Sequence, residues 1–493
     1  MRLSNLIAPS EGQKLFGNDV NITGITADSR DIKKGFLFAA IPGTQQDGRL
    51  YIKDALAQGA AAILAPAGTD ASLLPSHVSL VTAKDMRLAV SAIAARFYPR
   101  QPDTIAAVTG TSGKTSITQF TREIWGQNGR KAASIGTLGL VTPSEKHYGS
   151  LTTPDPITLH RILDETAEQG ITHLAMEASS HGLDLHRLDH VHVKVGAFTN
   201  LSRDHLDHHD SMARYLEAKL RLFTEVMPEG RVAVLNADVP EFDEIAAHCR
   251  ARHHTIISYG GNGHDLRLKE HQLQADGQVI RFAAMGKNYE VFLPVAGPFQ
   301  VWNSLCALGI AIGSGEDVAQ SVAGLEKLTG VPGRLELIGK TPKGATVFVD
   351  YAHKPGALEN VLTAMRAHVE EHPGARLFIV FGCGGNRDKG KRPEMGEIAQ
   401  RLADVVIVTD DNPRNEVAAD IRRDILSGCA RGPNLREIGD RAKAIQTAIA
   451  ELQTDDILVI AGKGHEIGQI VGDKVLPFDD AEVARQALLK ETT

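Results

Sequence analysis

The sequence predicts an α/β protein of three domains. Short apolar, β-prone runs alternate with helix-like stretches along the 493 residues, and segments rich in Gly and Pro interrupt this alternation near residues 99 and 330. Domains usually contain roughly 100 to 200 residues, which is consistent with three of them. The predicted domains are 1–98, 99–332 and 333–493. A hydrophobic content of 42% is sufficient for a separate core in each.

The first predicted domain is a small α/β unit. Its apolar runs "GFLFAAI", "AAAILAP" and "VSLVTA" alternate with the helical patterns "YIKDALAQG" and "MRLAVSAIAARFY". The segment "PRQPD" at 99–103 contains two prolines, which end the preceding helix and favour extended chain. We therefore interpret this segment as a linker.

The second domain begins with a strand, a glycine loop and a helix. The apolar run 104–108 leads into "TGTSGKT" at 109–115 and then into helical sequence, the context that a phosphate-binding loop requires. Backbone amides and the helix N-terminus would face phosphate oxygens, with Lys114 adding a full charge and Thr115 a hydroxyl for magnesium. Val108 replaces the first Gly of the longer motif, so a glycine turn with an incidental lysine is the alternative. The later strands "THLAMEAS", "VGAFTNL" and "VAVLNAD" predict a mostly parallel sheet like that of P-loop ATPases.

The third domain contains four apolar strands that end in small or polar residues. They are "TVFVDYAH", "RLFIVFGCGG", "DVVIVTDDNPR" and "DILVIAGKGHE". Ligands of open α/β sheets bind beyond the carboxyl ends of the strands. We therefore predict a Rossmann-like domain with its binding groups on these four tails.

Charge and composition argue against several classes of partner. The formal charge of −7 gives no broad basic field, which disfavours nucleic acid and anionic membrane surfaces as partners. The four cysteines lack the spacing of a zinc site or a disulfide framework. We expect neither an export signal nor a membrane span, because no run of about 18 apolar residues occurs. A cytoplasmic location is expected.

Two central strands deliver acids and imidazoles to one edge of the predicted sheet. "MEASSHGLDLHR" at 176–187 includes Glu177, and "TNLSRDHLDHH" at 199–209 includes His205. Such groups beside a phosphate loop are candidates for holding a metal. The alternative is a set of helix caps with histidines on a solvated face. We adopt that alternative for His208 and His209, and metal binding for Glu177 and His205.

Eight segments in order resemble one family. They are TGTSGKT, MEASSHGLDLHR, TNLSRDHLDHH, YLEAK (215–219), GPFQVWNSLCAL (297–308), GRLE (333–336), DYAHKP (350–355) and DNPR (411–414). Together they resemble the Mur ligases, ATP-dependent amide-bond-forming enzymes of peptidoglycan precursor synthesis. Three positions depart from the family pattern: Ser112 where Asn is usual, Leu185 where a substrate-binding Gln is common, and Gln300 in place of an Asn.

The resemblance implies a reaction and its cofactors. Meso-2,6-diaminopimelate would be added to UDP-N-acetylmuramoyl-L-alanyl-D-glutamate through an acyl phosphate, with ATP converted to ADP and phosphate and with Mg²⁺ as the metal. The implied catalytic residues are Lys114, Glu177, His205, Lys219, Asp350 and His353. The implied ATP-binding residues are Gly110, Thr111, Ser112, Gly113, Lys114, Thr115, Ser116, Asn303 and Arg334. The implied metal-binding residues are Thr115, Glu177, His205 and Lys219, of which Lys219 would be carbamylated; without the family context it would be interpreted as an exposed helix lysine.

The resemblance also implies the residues that bind the two other substrates. For the UDP-sugar peptide they are Ser29, Thr44, Gln45, Gln46, Thr152, Thr153, Ser179 and Arg187, although a threonine pair is by itself typical of a turn. For diaminopimelate they are Arg387, Asp411, Asn412, Pro413, Arg414, Gly462 and Glu466. A guanidinium fork binds a carboxylate through two hydrogen bonds and repels an ammonium group, so Arg414 would select diaminopimelate over lysine.

Two other functions remain as alternatives. One is another enzyme of the superfamily, such as the D-alanyl-D-alanine-adding ligase or a folylpolyglutamate synthase; "DNPR", "DSR" and "GTQQDG" argue against both. The other is a nucleotide-binding switch without ligase chemistry, which leaves Glu177, His205, Lys219 and the third domain unexplained. We expect a monomer whose domains close over ATP, since closure protects an acyl phosphate from water.

Overall fold

The computed structural model describes residues 1–43, 47–147, 149, 151–204, 208–274 and 277–491. The chain forms two compact units. One consists of Met1–Leu266 with Cys306–Ser321, and the other of Arg267–Leu305 with Val322–Thr493. Within the described residues, no helix is both long enough and apolar enough to cross a membrane.

Strands and helices alternate along most of the chain. The strands up to residue 260 are β1 (Lys14–Phe16), β2 (Gly24–Thr26), β3 (Phe36–Ala39), β4 (Ala62–Pro66), β5 (Ser79–Ala83), β6 (Thr104–Thr109), β7 (Ala132–Gly136), β8 (Gly139–Val141), β9 (Lys146–His147), β10 (His173–Glu177), β11 (Val193–Phe198), β12 (Val232–Asn236) and β13 (Thr255–Gly260). The later strands are β14 (Leu266–Gln274), β15 (Gly277–Ala284), β16 (Lys287–Leu293), β17 (Glu336–Lys340), β18 (Thr346–Asp350), β19 (Leu377–Phe381), β20 (Val405–Val408), β21 (Leu435–Glu437), β22 (Ile457–Ala461), β23 (Gly468–Val471) and β24 (Lys474–Pro477).

The helices are mostly short, and some begin at a side-chain cap. They are α1 (Ile52–Ala57), α2 (Met86–Phe97), α3 (Lys114–Gln127), α4 (Pro156–Glu168), α5 (Ser180–Asp184), α6 (Met212–Arg221), α7 (Phe242–Ala251), α8 (Phe299–Gly313), α9 (Val318–Leu325), α10 (Pro355–Glu370), α11 (Lys391–Leu402), α12 (Ala418–Leu426), α13 (Arg441–Glu451) and α14 (Asp480–Glu491). Asp85 caps α2 by accepting from two backbone amides, and Asp155 caps α4 in the same way. A π-helical turn, Leu222–Val226, continues α6.

The first unit contains two sheets. The smaller has the order β1-β5-β4-β3-β2, in which only β1 is antiparallel to its neighbour. Side chains of β3 alternate between the two faces, so that Leu37 and Phe38 belong to different apolar clusters. The sheet is therefore covered on both sides, as the apolar runs of this region predict.

The larger sheet of this unit places the phosphate loop beside two strand tails. Its order is β13-β12-β11-β6-β10-β7-β8-β9, and the strands from β13 to β7 are parallel. Glu177 is in register with Val108, and Phe198 with Thr109. The carboxyl ends of β6, β10 and β11 therefore meet at one edge, next to the start of α3.

The second unit contains a six-stranded sheet with the order β17-β18-β22-β19-β20-β21. Only β17 is antiparallel to its neighbour. Two apolar clusters cover its faces, one including Phe348 and the other Val347. The antiparallel pair β15–β16 and the hairpin β23–β24 complete the unit. The predicted α/β class with mostly parallel sheets is confirmed.

Candidate active site

The lysine of the glycine loop folds back over its own backbone. The Nζ atom of Lys114 donates to the carbonyl oxygens of Gly110 and Thr111, at 2.8 Å each. Gly113 precedes α3 with a φ of 89°, a left-handed conformation that suits glycine. The ammonium group and the first amides of α3 thus lie at the same end of the helix, an arrangement suited to phosphate oxygens.

The chain after β11 fixes the loop from its other side. Ser112 donates its backbone N–H to Oδ1 of Asn200 at 3.0 Å, and its carbonyl accepts from the Thr199 hydroxyl at 2.7 Å. Because the side chain of Ser112 makes neither bond, the departure from the family Asn leaves this anchoring in place. Thr115 and Ser116 are buried in the first turn of α3.

Lys219 lies beside Lys114 and is buried. It is in the last turn of α6, 1% exposed, and its Nζ donates to the Gly110 carbonyl at 2.8 Å, the same oxygen that Lys114 contacts. Burial, reinforced by the nearby Lys114 charge, lowers the pKa of Lys219 well below its ordinary value. The interpretation of Lys219 as an exposed helix lysine is therefore wrong. The lowered pKa favours a neutral amine at this position.

Glu177 ends β10 at the same edge of the sheet. It is 2% exposed, and Thr137 donates its backbone N–H to Oε1 at 2.7 Å and its hydroxyl to Oε2 at 3.3 Å. Two donors leave part of the acceptor capacity of the carboxylate unused. Carboxylate and hydroxyl oxygens suit Mg²⁺, so Glu177 and Thr115 fit a magnesium site, whereas an unmodified Lys219 does not. His205 lies outside the described residues.

Three residues predicted to bind the UDP-sugar peptide are joined by hydrogen bonds, and a fourth, Thr152, lies beside Thr137. The buried Thr153 hydroxyl donates to the Glu177 carbonyl at 2.9 Å and accepts from the Ser179 backbone at 3.1 Å. Arg187 donates to the Thr153 carbonyl at 2.8 Å, and the hydroxyls of Thr152 and Thr137 are 3.3 Å apart. These contacts join the predicted substrate residues to the Glu177 strand tail.

The remaining residues predicted for this substrate lie in the first 50 residues. Ser29 begins a short 3₁₀ segment, and its carbonyl accepts from Gln58 at 2.9 Å. Thr44, Gln45 and Gln46 lie outside the described residues.

In the second unit, Asn303 and Arg334 are linked through a departure from the family pattern. Asn303 donates to Oε1 of Gln300 at 2.8 Å, and Gln300 donates to the Arg334 carbonyl at 3.3 Å. Gln300 and Arg334 both line a cavity of about 420 Å³. Gln300 therefore holds Asn303 and the "GRLE" segment together.

Asp350 is the last residue of β18, and His353 follows three residues later. The buried Asp350 carboxylate accepts from the backbone amides of Leu335 and Ala352, at 2.7 and 2.8 Å. Burial raises the pKa of Asp350, although Arg334 opposes this shift. The carboxylate thus positions the "GRLE" segment.

His353 is one of three side chains that contact the ring of Tyr351. Its ring lies 4.5 Å from that of Tyr351, His465 lies 4.9 Å from the same ring, and the Arg334 guanidinium lies 5.1 Å over it. Burial lowers the pKa of each histidine to about 4. Both imidazoles are therefore neutral near pH 7.

The predicted diaminopimelate residues gather at three adjoining strand tails. Arg414, with a φ of 52°, donates to the Gly385 carbonyl at 2.9 Å. A Cβ atom added to Gly384 would lie 2.8 Å from Nη1 of Arg414 and 3.8 Å from Cγ of Arg387, so that the two arginines flank this glycine. Arg387 is exposed and Arg414 half-buried. Both guanidinium groups are therefore accessible to a carboxylate.

Asn412 and Glu466, two other members of this set, are hydrogen-bonded to each other. Asn412 donates to Oε2 of Glu466 at 2.8 Å, and the Gly462 amide donates to the Asp350 carbonyl at 3.2 Å. Asp411 and Pro413 are buried on either side of Asn412. The "DNPR" and "GKGHE" segments therefore form one structure.

Sequence reasoning missed Lys463, which connects these segments. It is fully buried, and its Nζ donates to the Gly468 carbonyl at 2.6 Å, to Oδ1 of Asn412 at 3.0 Å and to Oε2 of Glu466 at 3.2 Å. The signal available was a lysine between two glycines at a strand tail.

Two further features of the "YLEAK" and "LDHH" segments were not predicted. The Tyr215 hydroxyl is 3.2 Å from that of Thr111, and the Tyr215 ring lies 4.2 Å from Nζ of Lys219. His209 is 5% exposed, so the predicted solvated face is wrong for it, whereas His208 is partly exposed. The rings of His181, His208 and Tyr215 surround His209, which explains its burial.

Family models match three successive parts of the chain. "Mur ligase family, catalytic domain" matches residues 21–98, "Mur ligase middle domain" matches 108–311, and "Mur ligase, glutamate ligase domain" matches 333–464. The chain belongs to the Mur ligase family. Its phosphate loop, Glu177 and Lys219 all fall within the part that matches the middle domain of Mur ligases.

Individual Mur ligases resemble the chain over nearly its whole length. The UDP-N-acetylmuramoyl-L-alanyl-D-glutamate–2,6-diaminopimelate ligase of Mesorhizobium japonicum is 50% identical over 490 residues, covering 99% of each chain. The enzyme of the same name from Bradyrhizobium diazoefficiens is 51% identical and covers 96% of this chain and 98% of its own. A solved structure of a ligase with this name has a TM-score of 0.70 at 33% identity, with 96% of each chain covered.

More distant solved structures share the fold. The MurF ligase of Thermotoga maritima in complex with ADP has a TM-score of 0.61 at 20% identity, covering 95% of this chain and 97% of its own. The three-domain α/β architecture of Mur ligases therefore extends to proteins with little sequence identity to this one.

Proposed function

We propose that this Mur ligase uses ATP to add meso-2,6-diaminopimelate to UDP-N-acetylmuramoyl-L-alanyl-D-glutamate. The proposal rests mainly on one observation: over nearly its full length the chain is about 50% identical to ligases that are named for this substrate and this amino acid. The flanking pair Arg387 and Arg414 supports it, because two guanidinium groups suit an amino acid with an additional carboxylate. The product serves peptidoglycan precursor synthesis, and through it cell-wall biogenesis, cell shape and cell division.

The nucleotide is proposed to bind the loop 110–116. Lys114 would leave the Gly110 and Thr111 carbonyls to contact the terminal phosphates, as its position at the start of α3 supports. Asn303 would face the adenine, and Arg334 would reach ATP from the third domain. Thr115, Glu177 and His205 would hold Mg²⁺, which when bound neutralises phosphate charge during transfer.

Carbamylation of Lys219 is proposed as the change that completes the metal site. The neutral amine that burial favours is the form that attacks CO₂: its lone pair forms the N–C bond, a proton leaves nitrogen, and a carbamate anion results. The new anionic oxygens would be hard ligands for Mg²⁺, in place of an amine that is a poor ligand for it. The buried position supports this role, because Nζ of Lys219 lies beside the Gly110 carbonyl and the Tyr215 ring, next to the phosphate loop.

The proposed reaction proceeds in two balanced steps. A carboxylate oxygen of the D-glutamate residue attacks the γ-phosphorus of ATP, and ADP leaves. The neutral α-amine of diaminopimelate then attacks the acyl carbon, phosphate leaves, and the amine proton passes to a base or to solvent. The chain contributes mainly position and charge, since phosphoryl transfer is slow unless the anionic partners are neutralised and held in line.

The substrates are assigned to two sets of residues. Ser29, Thr44, Gln45 and Gln46 would bind the uridine diphosphate end. The muramoyl dipeptide would be bound by Thr152, by Thr153, and by Ser179 and Arg187, which both donate to Thr153. Arg387, Asn412, Arg414, Gly462 and Glu466 would bind diaminopimelate, with Asp411 and Pro413 shaping the loop; Asp350 would position "GRLE", and His353 would lie beside it. We further propose domains at 1–98, 99–332 and 333–493 that close over ATP, a monomeric state and a cytoplasmic location.

A phosphate-release assay tests the function. We expect release that requires ATP, Mg²⁺, the UDP-muramoyl dipeptide and meso-diaminopimelate together, with the tripeptide product identified by mass. Release that is independent of the peptide and the amino acid would instead indicate a nucleotide switch. Equal use of D-alanyl-D-alanine or glutamate would indicate another branch of the family.

A further inference from the structure

Three histidines of the first unit lie together outside the proposed nucleotide and metal residues. His181 is in the first turn of α5, whereas His208 and His209 precede α6. Each histidine has one ring nitrogen that could ligate a metal, and these three nitrogens all lie within 4.8 Å of one another. The ring centroids of His181 and His208 are 3.8 Å apart, and those of His208 and His209 are 4.7 Å apart.

A carboxylate orients one of these rings as it would beside a metal. Oδ2 of Asp184 is 3.1 Å from Nε2 of His208. When Nε2–H donates to this carboxylate, Nδ1 carries the lone pair that a metal needs. Metal-ligating histidines commonly donate their other ring N–H to a carboxylate in this way. Asp184 also ends α5, the short helix that contains His181, so the ligand and the orienting group belong to one helical segment.

We infer that His181, His208 and His209 form a binding site for a borderline transition-metal ion, with Zn²⁺ as the best-suited ion. Three imidazoles suit Zn²⁺, Co²⁺ or Ni²⁺ and disfavour Mg²⁺ and Ca²⁺, which prefer oxygen ligands. Tetrahedral Zn²⁺ with Zn–N bonds of about 2.0–2.1 Å needs nitrogens roughly 3.4 Å apart, so nitrogens that lie within 4.8 Å of one another must approach by at most about 1.4 Å. A water molecule would complete four ligands.

The site would share no ligand with the proposed magnesium residues, yet it is connected to them. The His209 ring lies 5.2 Å from that of Tyr215, whose hydroxyl is 3.2 Å from the Thr111 hydroxyl of the phosphate loop. The same Tyr215 ring lies 4.2 Å from Nζ of Lys219. Zn²⁺ would therefore bind one aromatic ring away from the phosphate loop.

Metal titration of the full chain tests the inference. Chelator-treated protein is titrated with ZnCl₂ by calorimetry in the presence of excess Mg²⁺, and Co²⁺ is added separately to record its visible absorption. We expect one Zn²⁺ per chain and a Co²⁺ spectrum with nitrogen ligation. His181→Asn and His208→Asn should each weaken Zn²⁺ binding on the order of 10- to 100-fold or more, and Asp184→Asn about tenfold. Circular dichroism of each metal-free variant verifies that it folds.

Two control variants separate this site from other zinc-binding groups. His264→Asn removes a histidine that also lies beside an aspartate, Asp265, but is 94% exposed and remote in sequence, and it should leave the affinity unchanged. Glu177→Gln should also leave it unchanged; loss of Zn²⁺ binding in this variant would assign the ion to the proposed magnesium residues and overturn the inference. Wild-type affinity in both His181→Asn and His208→Asn, or absence of stoichiometric binding in excess Mg²⁺, would equally overturn it.

Discussion

Replacement of Lys463 by methionine should weaken both the fold and the binding of diaminopimelate. Methionine fills a similar volume in this fully buried position but removes the three donors to Gly468, Asn412 and Glu466. Hydrogen bonds to charged groups contribute about 1.5–3 kcal/mol each, and breaking a buried ion pair costs about 3–5 kcal/mol. Because the Glu466 side chain is 34% exposed and can be hydrated, we expect the free energy of unfolding to fall by about 2–4 kcal/mol.

The assay separates a positioning role from a purely structural one. Without the Lys463 hydrogen bonds, Asn412 and Glu466 are no longer held in place, and the KM for diaminopimelate should rise by about tenfold or more. Every 1.4 kcal/mol of lost binding energy corresponds to a factor of ten, and the KM for ATP should change little. Initial rates of phosphate release are measured against each substrate, and chemical unfolding gives the stability. The matched control Lys474→Met alters an exposed lysine of the β23–β24 hairpin, which also contains Gly468. A lower stability with an unchanged KM for diaminopimelate would refute the reasoning.

Three further perturbations test other parts of the site. Arg414→Ala should lower kcat/KM for diaminopimelate by an amount equivalent to about 2–5 kcal/mol of binding energy, which is the cost of truncating one partner of a charge pair. Efficient use of lysine by the wild type would contradict the proposed selection of diaminopimelate by this guanidinium. Lys219→Ala should lower turnover by at least about 100-fold, because it removes the amine that would be carbamylated, and near-normal turnover would exclude that role. Burial lowers the pKa of His160 to about 4 in the folded chain. Between pH 6.5 and 4 the unfolded chain therefore binds more protons at this residue than the folded chain does, and the stability decreases as the pH is lowered, by up to about 3 kcal/mol from this residue. His160→Gln should therefore flatten the pH dependence of chemical unfolding in that window, and an unchanged slope would contradict this assignment.

Local patterns in the sequence were sufficient for the fold and for the edges at which the site lies. Strand, glycine loop and helix follow one another at 104–127, and the register of β10 with β6 places Glu177 beside that loop. Parallel strands impose this juxtaposition, because their carboxyl ends share one edge. Alternation of apolar runs and helices therefore located Glu177 and the "DNPR" tail without any knowledge of their side-chain contacts.

Tertiary contacts decided what the local patterns could not. Lys219 has the spacing of a surface lysine on an amphipathic helix, and its burial depends on the carbonyl of Gly110, 109 residues earlier in the chain. His209 looks like a solvated histidine until the rings of His181 and Tyr215 pack around it. In both cases a polar side chain is buried because a distant segment supplies its partner, and no short window of sequence contains that segment.

The glycine at the end of β7 shows how such a distant partner can nevertheless constrain a sequence. A Cβ atom added to Gly136 would lie 2.2 Å from Oε1 of Glu177, although the two residues are 41 positions apart, and Gly136 does not have a left-handed φ. The glycine is therefore required for the space that it leaves and not for its backbone freedom. Because Thr137, the next residue, donates two hydrogen bonds to the same carboxylate, Gly136 and Thr137 together admit Glu177 and hold it. An alanine at position 136 would displace the carboxylate from the sheet edge where the proposed Mg²⁺ binds, so the role of this glycine becomes apparent only when the neighbouring strand is in place.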